Sequence, residues 1–251
     1  MAICLALLFL FPPAAVTPES DGAAILEKSA RAYALLNSYV GTTTVRGIAQ
    51  FAEGRLDQTA TARIVFTRPA KIRIEGKDAS EHPYAIVSDG VDTWTSWKIR
   101  NEGAFEKAPS LEMAIAALTG VAQGAPTTIP GALLRLAWGN PLVPGGEARS
   151  DGQEAVGGSA CYKVTQRSRV GKTTFWVDAK SFLLRRMKEE HTQEEIAEAT
   201  RMAEAATKTI GKSSPLPDMA MKSSENDHFF VIERINSPVD SSLFTDPTRP
   251  R

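Results

Sequence analysis

A chain of 251 residues can bury a substantial core, as one large β-rich domain or two small ones. Lysine plus arginine and aspartate plus glutamate each total 29, a balance that excludes the one-sign field of a nucleic-acid binder. Only Cys4 and Cys161 carry thiols, so no disulfide framework can form.

The first residues read as the end of a secretory signal peptide covering about 1–16. Ile3 to Phe11 is an unbroken apolar run, and the small residues Ala14-Ala-Val16 follow Pro12-Pro13. The run is too short to span a bilayer, and no later stretch is long enough, so a location outside the cytoplasm is expected, periplasmic or secreted. Residues 17–251 then form one domain. Asp21 or Ser20 caps a helix over Ala23 to Ser38, whose apolar stripe includes Ile25, Leu26, Tyr33 and Leu36.

Strands follow. Tyr39 to Ala49 is rich in Thr and Val, and Thr59 to Arg68 alternates Ala62, Ile64 and Phe66 with polar neighbours. After Pro69, Ile72 and Ile74 resume the apolar face, as one side of an antiparallel sheet requires. Asp89-Gly90 joins Tyr84–Ser88 to Thr93–Lys98 by a turn, and Trp94 and Trp97, an odd number apart, cannot share a face. Ser110 caps an apolar helix over Leu111 to Leu118, and Gly131 to Trp138 carries a second apolar cluster with Leu133 and Leu134. The segments 123–130 and 140–151 read as Gly- and Pro-rich loops.

The sheet returns over Ala160 to Thr165, Thr173 to Asp178 and Phe182 to Lys188, the last two with apolar groups on both faces and therefore expected to be covered twice. Arg167 to Lys172 is a solvated hairpin tip. Thr192-Gln-Glu-Glu195 is a capping box that opens an inserted helix running to about Ile210, and His228 to Ile235 adds a last strand.

Catalytic patterns start and fail. Gly171-Lys172-Thr173 matches the end of a phosphate-binding loop, but Gln166 stands where the first glycine belongs, and the segment joins strands. Glu189, Glu190, His191, Glu194 and Glu195 have no zinc-helix spacing, and Cys161 has no histidine tied to it by a local pattern. Neither catalytic nor metal-ligating residues nor a cofactor are therefore expected.

Five segments in order, Ala32-Tyr-Ala-Leu-Leu-Asn-Ser-Tyr39, Phe66-Thr-Arg-Pro69 with Lys71-Ile-Arg-Ile74, Val87-Ser-Asp-Gly90, Thr174-Phe-Trp-Val-Asp178 with Leu183-Leu-Arg-Arg186, and Ile235-Asn-Ser-Pro-Val239, extend over most of the chain. In this order the chain resembles the LolA/LolB-like lipoprotein-sorting superfamily, and most closely its predicted secreted periplasmic branch. The resemblance implies an α+β fold, a strongly curved antiparallel sheet (an unclosed β-barrel) with helices covering its concave face. It also implies a non-enzymatic periplasmic carrier that holds the acyl chains of a lipid or lipoprotein between sheet and lid helices. On that basis Ile64, Phe66, Ile72, Ile74, Ile86, Trp94 and Phe175 on the sheet, with Leu111, Ile115, Leu118 and Leu134 on the lid, are the expected ligand-lining residues. The alternatives are an envelope sensor or protein-interaction domain with a filled core and an envelope protein partner, and, third, an enzyme whose site is hidden from sequence spacing.

Overall fold

The computed structural model describes residues 21–136, 139–142, 146–209 and 221–248. The expected leader, Trp138 and Ile210 lie outside them.

Asp21 opens the first helix, α1 (Gly22–Ala34), its carboxylate accepting the amides of Ala23 and Ala24 at 2.9 and 3.3 Å. The helix stops before the predicted Ser38 because Ser38 and Tyr39 are drawn into the sheet, opposite Thr67 and Phe66. Five strands follow: β1 (Ser38–Phe51), β2 (Arg55–Thr67), β3 (Lys71–Lys77), β4 (Pro83–Ser88) and β5 (Thr93–Trp97). At the β4–β5 turn Gly90 takes φ +95°, while the Asp89 carboxylate accepts the amides of Val91 and Asp92 at 2.8 Å, so the turn is built by aspartate and glycine together.

The middle of the chain holds a one-turn α2 (Lys98–Asn101), a two-residue β6 (Glu106–Lys107), α3 (Leu111–Thr119) and α4 (Thr128–Leu134). Ser110 caps α3 by accepting the Met113 amide at 3.1 Å. The second apolar cluster becomes a helix earlier than predicted: α4 begins at Thr128 and ends where Arg135 turns left-handed, φ +56°. The connection between α3 and α4 is not a loose loop. Its turns are closed by backbone bonds such as Gly124 to Thr119 at 2.8 Å, and Ala122 and Ala125 are buried.

The second half supplies β7 (Glu147–Val156), β8 (Ser159–Ser168), β9 (Gly171–Asp178), β10 (Leu184–Thr192), α5 (Gln193–Thr209) and β11 (Met221–Ile235), then a 3-10 turn at Ser241–Phe244. Strand β7 begins within the expected loop 140–151 and continues beyond it. It alternates half-exposed and exposed side chains and has little apolar content, so hydrophobic alternation could not reveal it. Phe182, expected in a strand, sits in the β9–β10 turn at φ +57°. The Thr192 capping box forms: the Thr192 amide donates to Glu195 at 2.8 Å, and the Glu195 amide to the Thr192 hydroxyl at 3.3 Å.

Among the described residues all eleven strands join one sheet in the order β6-β5-β4-β3-β2-β1-β11-β10-β9-β8-β7, every pair antiparallel. β6 and β7 remain edges, so the sheet is an unclosed barrel, and the fold is α+β. The last strand slots between β1 and β10, joining two hairpin runs into one surface.

Because side chains alternate, one face is apolar across many strands. Phe66 stands opposite Tyr39 and Ile72, and Ile64 opposite Gly41 and Ile74, which in turn faces Ile86. Beyond β1 the same face continues through Val45, His228, Met187, Phe175 and Val164. These residues form one core with Ile25, Leu26 and Tyr33 of α1, Ile115 and Leu118 of α3, and Ile129 and Leu133 of α4. On the opposite face, Phe244 of the 3-10 turn covers Val40 and Val65. Trp176 is covered there by charged side chains instead of by chain: the Arg186 guanidinium lies 4.5 Å and the Lys163 ammonium 5.5 Å from its ring centre.

Candidate functional site

The sheet end where β1 begins is tied shut. Arg68 follows β2 and donates to the carbonyls of Tyr33, Ala34 and Leu36 at 2.9–3.0 Å, satisfying the C-terminus of α1. The Tyr33 hydroxyl accepts the Leu184 amide at 3.2 Å, fixing α1 to β10. Asp178, in the β9–β10 turn, accepts the amides of Lys180 and Ser181 and pairs with Arg185 at 3.0 Å. Burial opposes the Asp178 charge, yet these amides and the guanidinium outweigh it and bring its carboxyl down to about 2.

Beside this tie lies the apolar wall. Ile64, Phe66, Ile72, Ile74 and Ile86 are each 0% exposed, and Phe175 joins the same core across β1, β11 and β10. From the lid, Ile115 and Leu118 are buried in that core, and Leu111 and Leu134 pack against it half-buried. Ten of the eleven expected residues therefore meet in one cluster. Trp94 does not: pairing with Val87 puts it on the opposite face, where it is 6% exposed. Trp97 occupies the inner face instead, packing on the core and donating its indole N–H to Asp78 at 2.9 Å. The odd separation required such a split, and the β4–β5 register decides which tryptophan is which.

Two clefts open at the margins of the lid. One, of about 150 Å³, runs beneath α3, and its lining joins Trp97, Met113 and Leu118 to the charged Arg100, Glu106 and Lys107. The other, of about 500 Å³, lies between the α3–α4 connection and the sheet, and its lining includes Gln123, Thr127, Met187, Glu189, Asn226 and His228.

The larger cleft is where the concave face changes character. One residue pair along the strands from Val45, His228 and Met187, the row becomes Gln58, Gly47, Asn226, Glu189, Thr173 and Gln166. A Cβ at Gly47 would displace the end of the Gln123 side chain, which crosses from the lid to hydrogen-bond Gln58 at 3.3 Å. His228 is 1% exposed and its Nε2 lies 3.2 Å from Glu189. Burial raises the Glu189 carboxyl, but hydrogen bonds from His228 and Asn226 and the His228 charge outweigh it, leaving the carboxyl below its ordinary value.

Sequence reasoning missed His228 as a cleft residue and weighed Glu189 only as a metal ligand. The available signal was parity: His228 is two residues from Phe230, and Glu189 two from Met187, so each shares a face with a core residue. That β10 and β11 are neighbours was not visible. Among the described residues no group of three or more His, Cys, Asp or Glu is arranged to hold a metal ion, and Cys161 is buried, with burial raising its thiol. No helix among them is long and apolar enough to cross a membrane.

No family model matches the chain, and no curated protein matches it. Solved structures do resemble it in arrangement. LppX, a lipoprotein of Mycobacterium tuberculosis, is 12% identical with a TM-score of 0.40, over 87% of this chain and 97% of its own. LprF from Mycobacterium bovis is 12% identical at 0.43, over 90% and 96%. A LolA superfamily protein from Nitrosomonas europaea is 10% identical at 0.36, over 90% and 98%.

Proposed function

We propose that the chain is a non-enzymatic carrier outside the cytoplasm that holds the acyl chains of a lipid or lipoprotein between its curved sheet and the lid formed by α3 and α4. One observation carries this reading: a continuous aliphatic and aromatic wall is covered by two short helices with clefts at both margins. Each acyl CH₂ withdrawn from water onto such a wall contributes about 0.8 kcal/mol, so a chain of ordinary length can be held without covalent chemistry. The wall is fully packed in the closed form, so carriage requires α3 and α4 to move apart from it. The buried Ala114, Ala122, Ala125 and Ala132 favour this movement, because small side chains give up little apolar area when they separate.

The same complete packing favours a second reading, an interaction or sensor domain whose core is filled by its own side chains. Mass spectrometry of gently extracted protein, with uptake of a fluorescent fatty-acyl probe, separates the two. Co-purifying lipid and saturable uptake are expected. Consistent absence of both would sink the carrier reading and leave the filled-core domain.

A further inference from the structure

Two buried tyrosines stand side by side where α1 gives way to β1, their ring centres 6.4 Å apart. Tyr33 uses its hydroxyl to accept the Leu184 amide at 3.2 Å. The Tyr39 hydroxyl, by contrast, is buried and has no hydrogen-bond partner among the described residues. Burial pushes it well above the ordinary range of a phenol, so it keeps its proton and stays a donor. It lies over Gly41, where an added Cβ would collide with it, so the Tyr39 side chain reaches along β1 toward Thr43. Thr43 shares the inward face, is 0% exposed, and its hydroxyl likewise has no partner among the described residues. Gly41 and Thr43 are two residues apart on the strand, about 7 Å, which is the span of one acceptor group bonded from both sides at about 2.8 Å. The wall is low at this point, because Gly41 has no side chain and Thr43 pairs across to Ala62.

We propose that Tyr39 and Thr43 form a polar subsite within the apolar wall and donate to the ester carbonyl of an acyl chain. An unpaired buried hydroxyl weakens the empty protein, and phenylalanine or valine would fill the same space without that cost, so a bound acceptor accounts for the hydroxyls. An ester only accepts, and pairs both donors. An alcohol brings a proton of its own and leaves one donor unpaired, a hydrocarbon pairs neither, and a carboxylate loses more hydration in a dry core than two hydroxyls return. The subsite therefore favours ester-linked acyl chains over free fatty acids. This inference rests on the carrier reading, since the carbonyl reaches the wall only when the lid moves.

The test displaces a fluorescent fatty-acyl probe from the full chain with methyl dodecanoate or with methyl dodecyl ether, which keeps the chain and lacks the carbonyl. The ester is expected to bind up to about tenfold more tightly, the scale of one to two net hydrogen bonds, and Tyr39→Phe to bring it level with the ether while leaving the ether unchanged. Thr43→Val should narrow the same gap. In the infrared, the carbonyl band of isotope-labelled bound ester should lie at lower frequency in the wild type than in Tyr39→Phe. Equal affinity for ester and ether, or a preference that survives both substitutions, overturns the subsite and leaves acyl carriage standing. Failure of the fluorescent probe itself to bind removes carriage and the subsite together. Thermal melts of the ligand-free proteins give an independent reading: Tyr39→Phe should melt at the same temperature as the wild type or higher. A fall of several degrees would show that the hydroxyl already has a partner in the empty protein, an internal water included, and would overturn the proposal.

Discussion

The two ends of the concave face are built from the same strands and behave differently. Where β1 begins, Arg68, Tyr33 and the Asp178–Arg185 pair lock α1 and the β9–β10 turn onto the sheet, and most inward side chains nearby are apolar. A few residues along, the inward positions become Gln58, Asn226, Glu189 and Thr173, and the lid connection stands away from them by a cleft. Alternation fixes which face a residue joins, and distance along the strand fixes whether it meets a helix or water. One sheet can thus carry a dry wall and a wet mouth without a second domain.

Three perturbations sharpen this contrast, and the wall is expected to respond most. Ile74→Ala removes a fully buried side chain that faces Ile64 and Ile86, and urea unfolding should register a loss of about 2–5 kcal/mol. A loss under about 1 kcal/mol would mean that the wall borders loosely filled space and would erase the difference between the two ends.

The locked end should come next, through acid. The Asp178 carboxyl is depressed from 3.8 to about 2, so its contribution is fully present above about pH 4 and is lost as pH falls through about 2. The shift corresponds to roughly 2 kcal/mol. The acid-induced loss should be smaller in Asp178→Asn by about that amount; superimposable pH–stability curves for the two proteins would show that Asp178 does not hold this end.

The smallest effect belongs beyond the mouth, where β10 runs into α5. Thr192→Ala removes the hydroxyl that accepts the Glu195 amide, at a cost of about 1 kcal/mol to the helix. Because α5 follows the open end, hydrogen exchange should quicken within 193–202 while the global melting temperature hardly moves. A fall in melting temperature as large as that of Ile74→Ala would show that α5 is part of the cooperative core.

Much of this architecture was legible because its causes are local. The caps at Asp21, Ser110 and Thr192 depend on side chains two to three residues from the amides they satisfy, and all three form. The alternation through Ile64, Phe66, Ile72 and Ile74 reports burial on one face directly, and these residues meet as that pattern requires. Strand β7 was invisible for the complementary reason. Its ladder to β8 is made by backbone groups, while its side chains carry hardly any apolar alternation. Trp94 was placed with the wall because parity says only that it differs from Trp97, and the β4–β5 register assigns it to the other face.

The sequence by itself therefore determined the starts of α1, α3 and α5, most of the apolar positions and the two-faced character of the strands, since each follows from neighbours within a few residues. Tertiary structure alone decided the rest. Inserting β11 between β1 and β10 brings His228 to Glu189, 39 residues away, and Gly47 lets Gln123 of the lid reach Gln58 across the sheet. Strand pairing joins residues by backbone hydrogen bonds that are alike at every position, so no local pattern records which strands become neighbours, and the polar cleft exists only once they do.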